Sequence, residues 1–374
     1  MTKKKILILT SDFGLGHRSA AEAVEAALIE CYGERCETSI INPLDMPDAP
    51  DMIQQLEEDY SEIVTENPSL YKFSYHALDA PLVSDLVEAI TTRLINDTMF
   101  KIIHKDPPNI IVSTYPIYNL ASTRAIEETG KDIALAVVIT DLVDVQTLWF
   151  SSEATMHFVP TEAIREQAIE NKIPGTRIQV TGLPVHPSIS REKQSKSELR
   201  EKMGWQQDVP TGLIVSSIRT SQLPAITRHL DQSNLNLQLV VVCGGDEKTY
   251  ETLKCKEWNK PVHLYNWVDN MARLMKASDF IVSKAGGLIV SEALACGLPI
   301  ILSEALPGQE IGNVKYVVEN NAGAWAPSAA EVLATVISWL KCGEIEKVRA
   351  NAEKIGSADA AYTIAKRVWG MAAA

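Results

Sequence analysis

The chain has 374 residues, 46% of them hydrophobic, 22% charged and 6% aromatic, a globular composition that excludes disordered, collagen-like and low-complexity classes. Thirty-five Lys and Arg against 48 Asp and Glu give a formal charge of -13, which argues against nucleic acid as a partner. The acidity is one-sided: residues 1–190 hold 14 basic and 28 acidic side chains, which leaves 21 and 20 in residues 191–374.

At about 100 to 200 residues per domain, the length predicts two domains, each able to bury its own core. The apolar run Lys5–Thr10 is followed by Ser11-Asp12-Phe13-Gly14-Leu15-Gly16-His17 and then by the Ala- and Glu-rich stretch Ser19–Tyr32; this reads as strand, glycine turn, helix. The run after Lys3-Lys4-Lys5 is too short for a signal peptide, and no apolar run approaches the roughly 20 residues of a membrane span, so any membrane contact is expected to be peripheral. Further β runs are predicted at Thr38–Asn42, Ile110–Thr114, Ala134–Thr140, Thr155–Val159 and Arg177–Thr181. Residues 50–100 form a long insertion with Tyr60, Tyr71, Phe73, Tyr75 and His76, readable either as an interfacial surface or as two amphipathic helices covering the sheet.

The polar stretch Ser188–Lys202 interrupts the pattern near Pro187, and the same grammar restarts with strands at Gly212–Ser217, Leu237–Cys243, Val262–Tyr265, Phe280–Ser283 and Pro299–Ser303. Alternating β and α elements with buried, non-alternating strands predict two doubly wound parallel sheets of Rossmann type. The expected division is 1–187, 188–358 and a helical tail, 359–374, that packs back on the first domain. Cys31, Cys36, Cys243, Cys255, Cys296 and Cys342 form no C-x-x-C pair; they read as reduced thiols of a cytoplasmic protein.

Three places carry candidate chemistry. In the first turn, Gly14 and Gly16 precede a helix start, where free N–H groups attract anions; Ser19 stands where the dinucleotide fingerprint needs a third glycine. His17 there is a candidate base, with Asp12 or Asp141 as its orienting partner; Asp141 ends the Ala134–Thr140 strand, at the edge where open α/β sheets bind ligands. In the second half, Ser283-Lys284-Ala285-Gly286-Gly287 leads into a short helix whose start suits a diphosphate and whose Glu292 can accept from two vicinal ribose hydroxyls. Pro307-Gly308-Gln309-Glu310-x-x-Asn313 adds a polar cluster suited to sugar hydroxyls.

In this order the segments resemble glycosyltransferase family 28, in its monogalactosyldiacylglycerol synthase and processive diacylglycerol glucosyltransferase branch. The resemblance rests on Ser11-Asp12-x-Gly14-x-Gly16-His17-Arg18, Thr140-Asp141-Leu142 with Trp149-Phe150, Val159-Pro160-Thr161-Glu162, Thr181-Gly182-Leu183-Pro184-Val185, Val268-Asp269-Asn270-Met271, Lys284-Ala285-Gly286-Gly287, Ser291-Glu292-Ala293 and Pro307-Gly308-Gln309-Glu310-x-Gly312-Asn313. It implies a GT-B fold and an inverting transfer of a hexose, galactose or glucose, from a UDP-sugar to diacylglycerol or a similar lipid. The UDP-sugar is a substrate, and the resemblance implies neither a cofactor nor a metal. It places Trp267 and Val268 at uracil with Met271 beside it, Gly286, Gly287 and Leu288 at the diphosphate, Glu292 on ribose, and Gln309, Glu310 and Asn313 on the donor sugar. His17 is the implied base, with Asp12 and Asp141 in support, and the setting is the inner face of the cell membrane. Two other readings stay open: a GT-B transferase or sugar-nucleotide epimerase with a soluble acceptor, and a degenerate nucleotide-sugar-binding protein.

Four features depart from that branch. Ser216-Ser217-Ile218-Arg219-Thr220-Ser221 replaces a glycine-rich loop, leaving Arg219 to compensate by charge; Gln146-Thr147 replaces His-Pro, with His186 after Gly-Leu-Pro-Val; Leu288-Ile289 replaces Gly-Thr; and the first domain is acidic.

Overall fold

The computed structural model describes residues 3–12, 15–46, 81–216, 222–306 and 310–372. Most of the aromatic insertion, Gly14, Arg219 and Gln309 lie outside the described residues. The chain divides into one unit of residues 1–187 with 307–309 and 359–374, and a second of 188–306 with 310–358.

In the first unit, β1 (Lys4–Leu9), β2 (Cys36–Ile41), β3 (Ile110–Ser113), β4 (Ala134–Val138), β5 (Met156–Val159) and β6 (Ile178–Val180) form a sheet ordered β2-β1-β3-β4-β5-β6, parallel at every pairing. The winding reverses between β1 and β3. Alternate residues of the apolar runs serve opposite faces, as the pleat requires. Leu7, Leu9, Ile111, Leu135 and Val137 pack with α2 (Pro81–Lys105) and α3 (Tyr118–Thr129). Ile6, Ile8, Val112, Ala136 and Val138 pack with α1 (Leu15–Tyr32) and the last helix of the chain. Where the insertion is described, helical spacing sends Ile95, Met99 and Ile103 into the core, fully buried. The helix α4 (Glu162–Glu170) also belongs to this unit, capped by Thr161 Oγ1 accepting from Ile164 N–H.

In the second unit, α5 (Ser188–Arg191) and α6 (Lys196–Met203) occupy the polar stretch that the sequence reading left without structure. Ser195 and Glu198 form a capping box and Gly204 closes α6 in the left-handed region at φ 69°. Arg200, buried on α6, gives its guanidinium to Asp279 at 2.8 Å, and Asp279 also accepts from Lys196 and from Thr211 N–H. The helices α7 (Leu223–Asp231), α8 (Glu247–Lys254), α9 (Met271–Ala277), α10 (Gly287–Ala295) and α11 (Ile311–Glu319) alternate with β7 (Thr211–Val215), β8 (Gln238–Val242), β9 (Val262–Tyr265), β10 (Phe280–Lys284), β11 (Ile300–Glu304) and β12 (Gly323–Trp325). Their order is β12-β11-β10-β7-β8-β9, again parallel, with the reversal between β7 and β10. The sequence reading missed β12, three residues with no periodic signal; Gly323 is fixed there because a Cβ would fall 2.1 Å from the Ile300 carbonyl. The helices α12 (Ala329–Lys341) and α13 (Ile345–Ile355) follow.

The last helix, α14 (Ala360–Met371), belongs to the first unit. Its Ala361, Ile364, Ala365 and Val368 are fully buried with α1. At its far end Trp369 stacks on Tyr32 with centroids 4.1 Å apart, and the Lys4 ammonium lies 4.2 Å over the indole. Ile364→Ala is expected to cost about 2 to 5 kcal/mol, read as a lowered denaturant midpoint for the transition of the first unit.

Candidate functional site

The two winding reversals are where open α/β sheets offer ligand crevices, outside the carboxyl ends of their strands. In the first unit that edge carries three threonines in successive positions along the sheet: Thr10 after β1, Thr114 after β3 and Thr140 after β4. Thr114 knits the edge together, its N–H and Oγ1 both donating to the Leu9 carbonyl, at 2.9 and 3.1 Å. Its hydroxyl also reaches the His17 carbonyl at 3.2 Å, which fixes the first turn of α1 against the strands.

His17 is the third residue of α1 and turns its ring onto this edge. Nδ1 lies 2.9 Å from the Thr114 carbonyl and 2.9 Å from Thr140 Oγ1. A carbonyl oxygen only accepts, so Nδ1 carries the proton and donates, and Nε2 keeps its lone pair. Among the described residues Nε2 has no hydrogen-bond partner. Tyr115 meets the ring edge-on at 4.9 Å and Trp149 lies 6.0 Å away. Burial pushes the imidazole down to about 4, against the Thr114 bond, which pulls the other way. The ring is therefore neutral at physiological pH, a proton acceptor held in one tautomer. The Trp149 wall is itself anchored, since Asn119 Nδ2 donates to the Leu148 and Trp149 carbonyls and His157 Nε2 accepts from Ser151 N–H.

The sequence reading gave the orienting role to Asp12 or Asp141, and the structure gives it to Thr114 and Thr140. Asp12 is taken by the Arg18 guanidinium, which grips both carboxylate oxygens at 2.7 Å, while Asn42 Nδ2 donates to Oδ2 at 3.1 Å. The Arg18 bonds hold its carboxyl below the usual range despite partial burial. Asp141 follows Thr140, half-buried at the carboxyl edge. Gly16 adjoins His17 with open space where a side chain would be.

In the second unit β10 ends at Lys284, where the pairing with β11 slips, Ser283 opposing Leu302 but Lys284 opposing Glu304. Ala285 N–H donates to the Glu304 carbonyl at 2.7 Å, and Gly286 caps α10 in extended backbone. The first N–H groups of α10, from Gly287, Leu288 and Ile289, are the orphan donors that an anion takes up. Glu292, about one and a half turns along, is half-buried with no hydrogen-bond or ionic partner for its carboxylate among the described residues, and burial raises its carboxyl to about 7. Glu310 and Asn313, expected on the donor sugar, are instead buried beneath the turn. Glu310 accepts from Lys284 Nζ at 2.7 Å and from Leu306 N–H at 2.9 Å, and Asn313 Nδ2 donates to the Ala285 carbonyl at 2.9 Å. Lys284 stood in the motif without being singled out. Trp267 is 61% exposed after β9, beside the Gly244-Gly245 turn, with half-buried Val268 next to it and Met271 opening α9. No group of three or more His, Cys, Asp or Glu among the described residues is arranged to hold a metal.

A family model described as monogalactosyldiacylglycerol (MGDG) synthase matches residues 17–185, and one described as the glycosyltransferase family 28 C-terminal domain matches residues 218–368. A probable monogalactosyldiacylglycerol synthase, chloroplastic, of Glycine max is 33% identical over 96% of this chain and 70% of its own length. Monogalactosyldiacylglycerol synthase 1, chloroplastic, of Arabidopsis thaliana is 31% identical over the same shares. Among solved structures, Os79 of O. sativa in complex with UDP superposes with a TM-score of 0.63 at 14% identity, covering 98% of this chain and 100% of that one. The UDP-GlcNAc 2-epimerase of Neisseria meningitidis bound to UDP-GlcNAc gives 0.61 at 15%, covering 98% and 100%. At such identities the likeness is one of fold.

Histidine titration by NMR is expected to find the His17 ring neutral with its proton on Nδ1 down to about pH 4, rather than protonating near the ordinary 6.5.

Proposed function

We propose that this chain, which belongs to the monogalactosyldiacylglycerol synthase family and is a GT-B glycosyltransferase, transfers galactose from UDP-galactose to diacylglycerol with inversion at the anomeric carbon. The carrying observation is the tautomer of His17. Nε2 accepts the proton of the acceptor hydroxyl as its oxygen bonds to the anomeric carbon, and the bond from that carbon to the β-phosphate oxygen breaks with its electron pair going to UDP. Thr114 and Thr140 hold the imidazole through this step, and the imidazolium formed keeps its bond to the Thr114 carbonyl.

The donor is read in the second unit. Uracil is assigned to the backbone near Trp267 and Val268 with Met271 beside it, and the diphosphate to Gly286, Gly287 and the start of α10. Glu292 is the ribose acceptor: an unpartnered half-buried carboxylate is costly alone and is satisfied by two hydroxyl donors. Gln309 remains assigned to the sugar, with Glu310 and Asn313 shaping the turn from below. In this reading UDP departs onto the helix start without a metal ion.

The acceptor's chains keep the reaction at a bilayer surface. Among the described residues no helix is long and apolar enough to cross a membrane. The reading is of peripheral action on the inner face of the cell membrane, from the cytoplasm. The plant relatives are named as chloroplastic. The epimerase reading has the fold likeness alone in its favour, at 15% identity.

The deciding assay incubates liposomes containing diacylglycerol with UDP-galactose or UDP-glucose, with and without a chelator. Galactolipid formation that survives chelation is expected; transfer to a water-soluble acceptor alone, or donor epimerisation without transfer, would overturn the reading. His17→Ala should lose about a hundredfold to ten-thousandfold in kcat while still binding UDP. Thr140→Val should lose less, and Thr140→Ser should recover most of that loss.

Glu292 adds a pH signature. The ribose hydroxyls bind the ionised carboxylate, whose free form takes up a proton near 7. UDP affinity is therefore expected to fall as pH drops below about 7 and to level off above it, and Glu292→Gln should abolish that slope in calorimetric titrations.

A further inference from the structure

We infer that Lys284 is a catalytic residue, an ammonium shared between buried Glu310 and the diphosphate of the donor, which stabilises the leaving group. The inference rests on the assignment of the donor site to the second unit.

Lys284 is the last residue of β10, at the winding reversal of its sheet, and the register slip after Ser283 falls on it. Its stem runs along the phosphate turn: Cε and Nζ lie 3.4 and 3.6 Å from where a Cβ on Gly286 would be. The ammonium is thus beside the residue that caps α10, with a quarter of the side chain open to solvent.

The charge balance of the turn requires such a group. Glu310 is 5% exposed, and its Oε1 lies 3.6 Å from the same Gly286 position, so a carboxylate stands beside the residue that caps α10, where the diphosphate is assigned. Uncompensated, it would repel an anion arriving at the helix start. Lys284 Nζ pairs with it at 2.7 Å, and an ammonium has three N–H donors, so two remain for phosphate oxygens. The helix terminus alone offers about half a positive charge, and Leu288 and Ile289 contribute no hydroxyl to the first turn.

As the bond between the anomeric carbon and the β-phosphate oxygen breaks, its electron pair passes to that oxygen and the diphosphate gains one negative charge. Lys284 meets that charge by hydrogen bonding and gives up no proton; the proton released in the reaction is the acceptor's, taken by His17.

Uridine, UMP and UDP titrated into the wild type, Lys284→Gln, Lys284→Arg and the double variant Lys284→Gln/Glu310→Gln separate the possibilities. Lys284→Gln is expected to lose roughly 10- to 100-fold in UDP affinity, the range of a charged hydrogen bond, with less loss for UMP and none for uridine. Lys284→Arg should regain most of it, and the double variant should stay weak for UDP. Two results overturn the inference: wild-type UDP affinity in the double variant, which would make Lys284 a screen for Glu310, or a parallel loss of uridine, which would make it a brace for the turn. Should Lys284→Gln fail to fold, Lys284→Arg and the double variant still decide. A wild type that binds no uridine nucleotide would instead overturn the donor-site assignment, and this inference with it.

Discussion

The carbonyl oxygen of Thr114 can only accept a hydrogen bond, and that constraint determines which nitrogen of His17 holds the proton. With Nδ1–H committed to Thr114 and Thr140, the lone pair of Nε2 is the one the ring can offer. The constraint reaches back into the fold. Thr114 is placed by β3, its carbonyl is aimed because its own N–H and hydroxyl are tied to Leu9 of β1, and β1 and β3 are neighbours because the winding reverses between them. Parallel strand order, a short hydrogen-bond chain and a tautomer are three levels of one arrangement.

The second unit shows how one residue type is set to two tasks by its surroundings. Glu292 and Glu310 are both withdrawn from water. Glu310 has a cation and a backbone N–H, so it is a satisfied part of the turn. Glu292 has neither, and desolvation alone governs it. A half-buried carboxylate without a partner, at the edge where the sheet offers a ligand crevice, is a place where a ligand supplies the missing donors.

The centres of the sheets were legible in the sequence because strands such as β3, β4, β8 and β10 are buried almost throughout, which makes each a short, mostly apolar run. Gly323–Trp325 was not, since three residues carry no period and the reason for Gly323 is a contact with Ile300, distant in sequence. The helices α5 and α6 hid in a polar stretch because they are short and mostly solvated, although Ser195 and Glu198 spelled out the start of α6. The motifs located the candidate residues but not their partners. Asp12 was a reasonable orienter for His17 until Arg18, one residue further on, took both its oxygens. Glu310 and Asn313 were expected on the donor sugar, and their bonds to Lys284 and to the Ala285 carbonyl leave no trace in spacing.

These partners change how the work of the reaction is divided. A carboxylate against Nδ1 would stabilise the imidazolium and make a stronger base; a carbonyl and a hydroxyl in a buried setting do less, and the imidazole drops to about 4. So weak a base draws little of the proton from an alcohol early in the reaction. The hydroxyl must acidify by bonding to the anomeric carbon, which in turn requires that the bond to UDP is already loosening. In the proposed transfer the barrier then depends on how well the departing diphosphate is stabilised, the role assigned to the start of α10 and the ammonium of Lys284. In that reading, a weak base and a well-stabilised leaving group are complementary demands of one displacement.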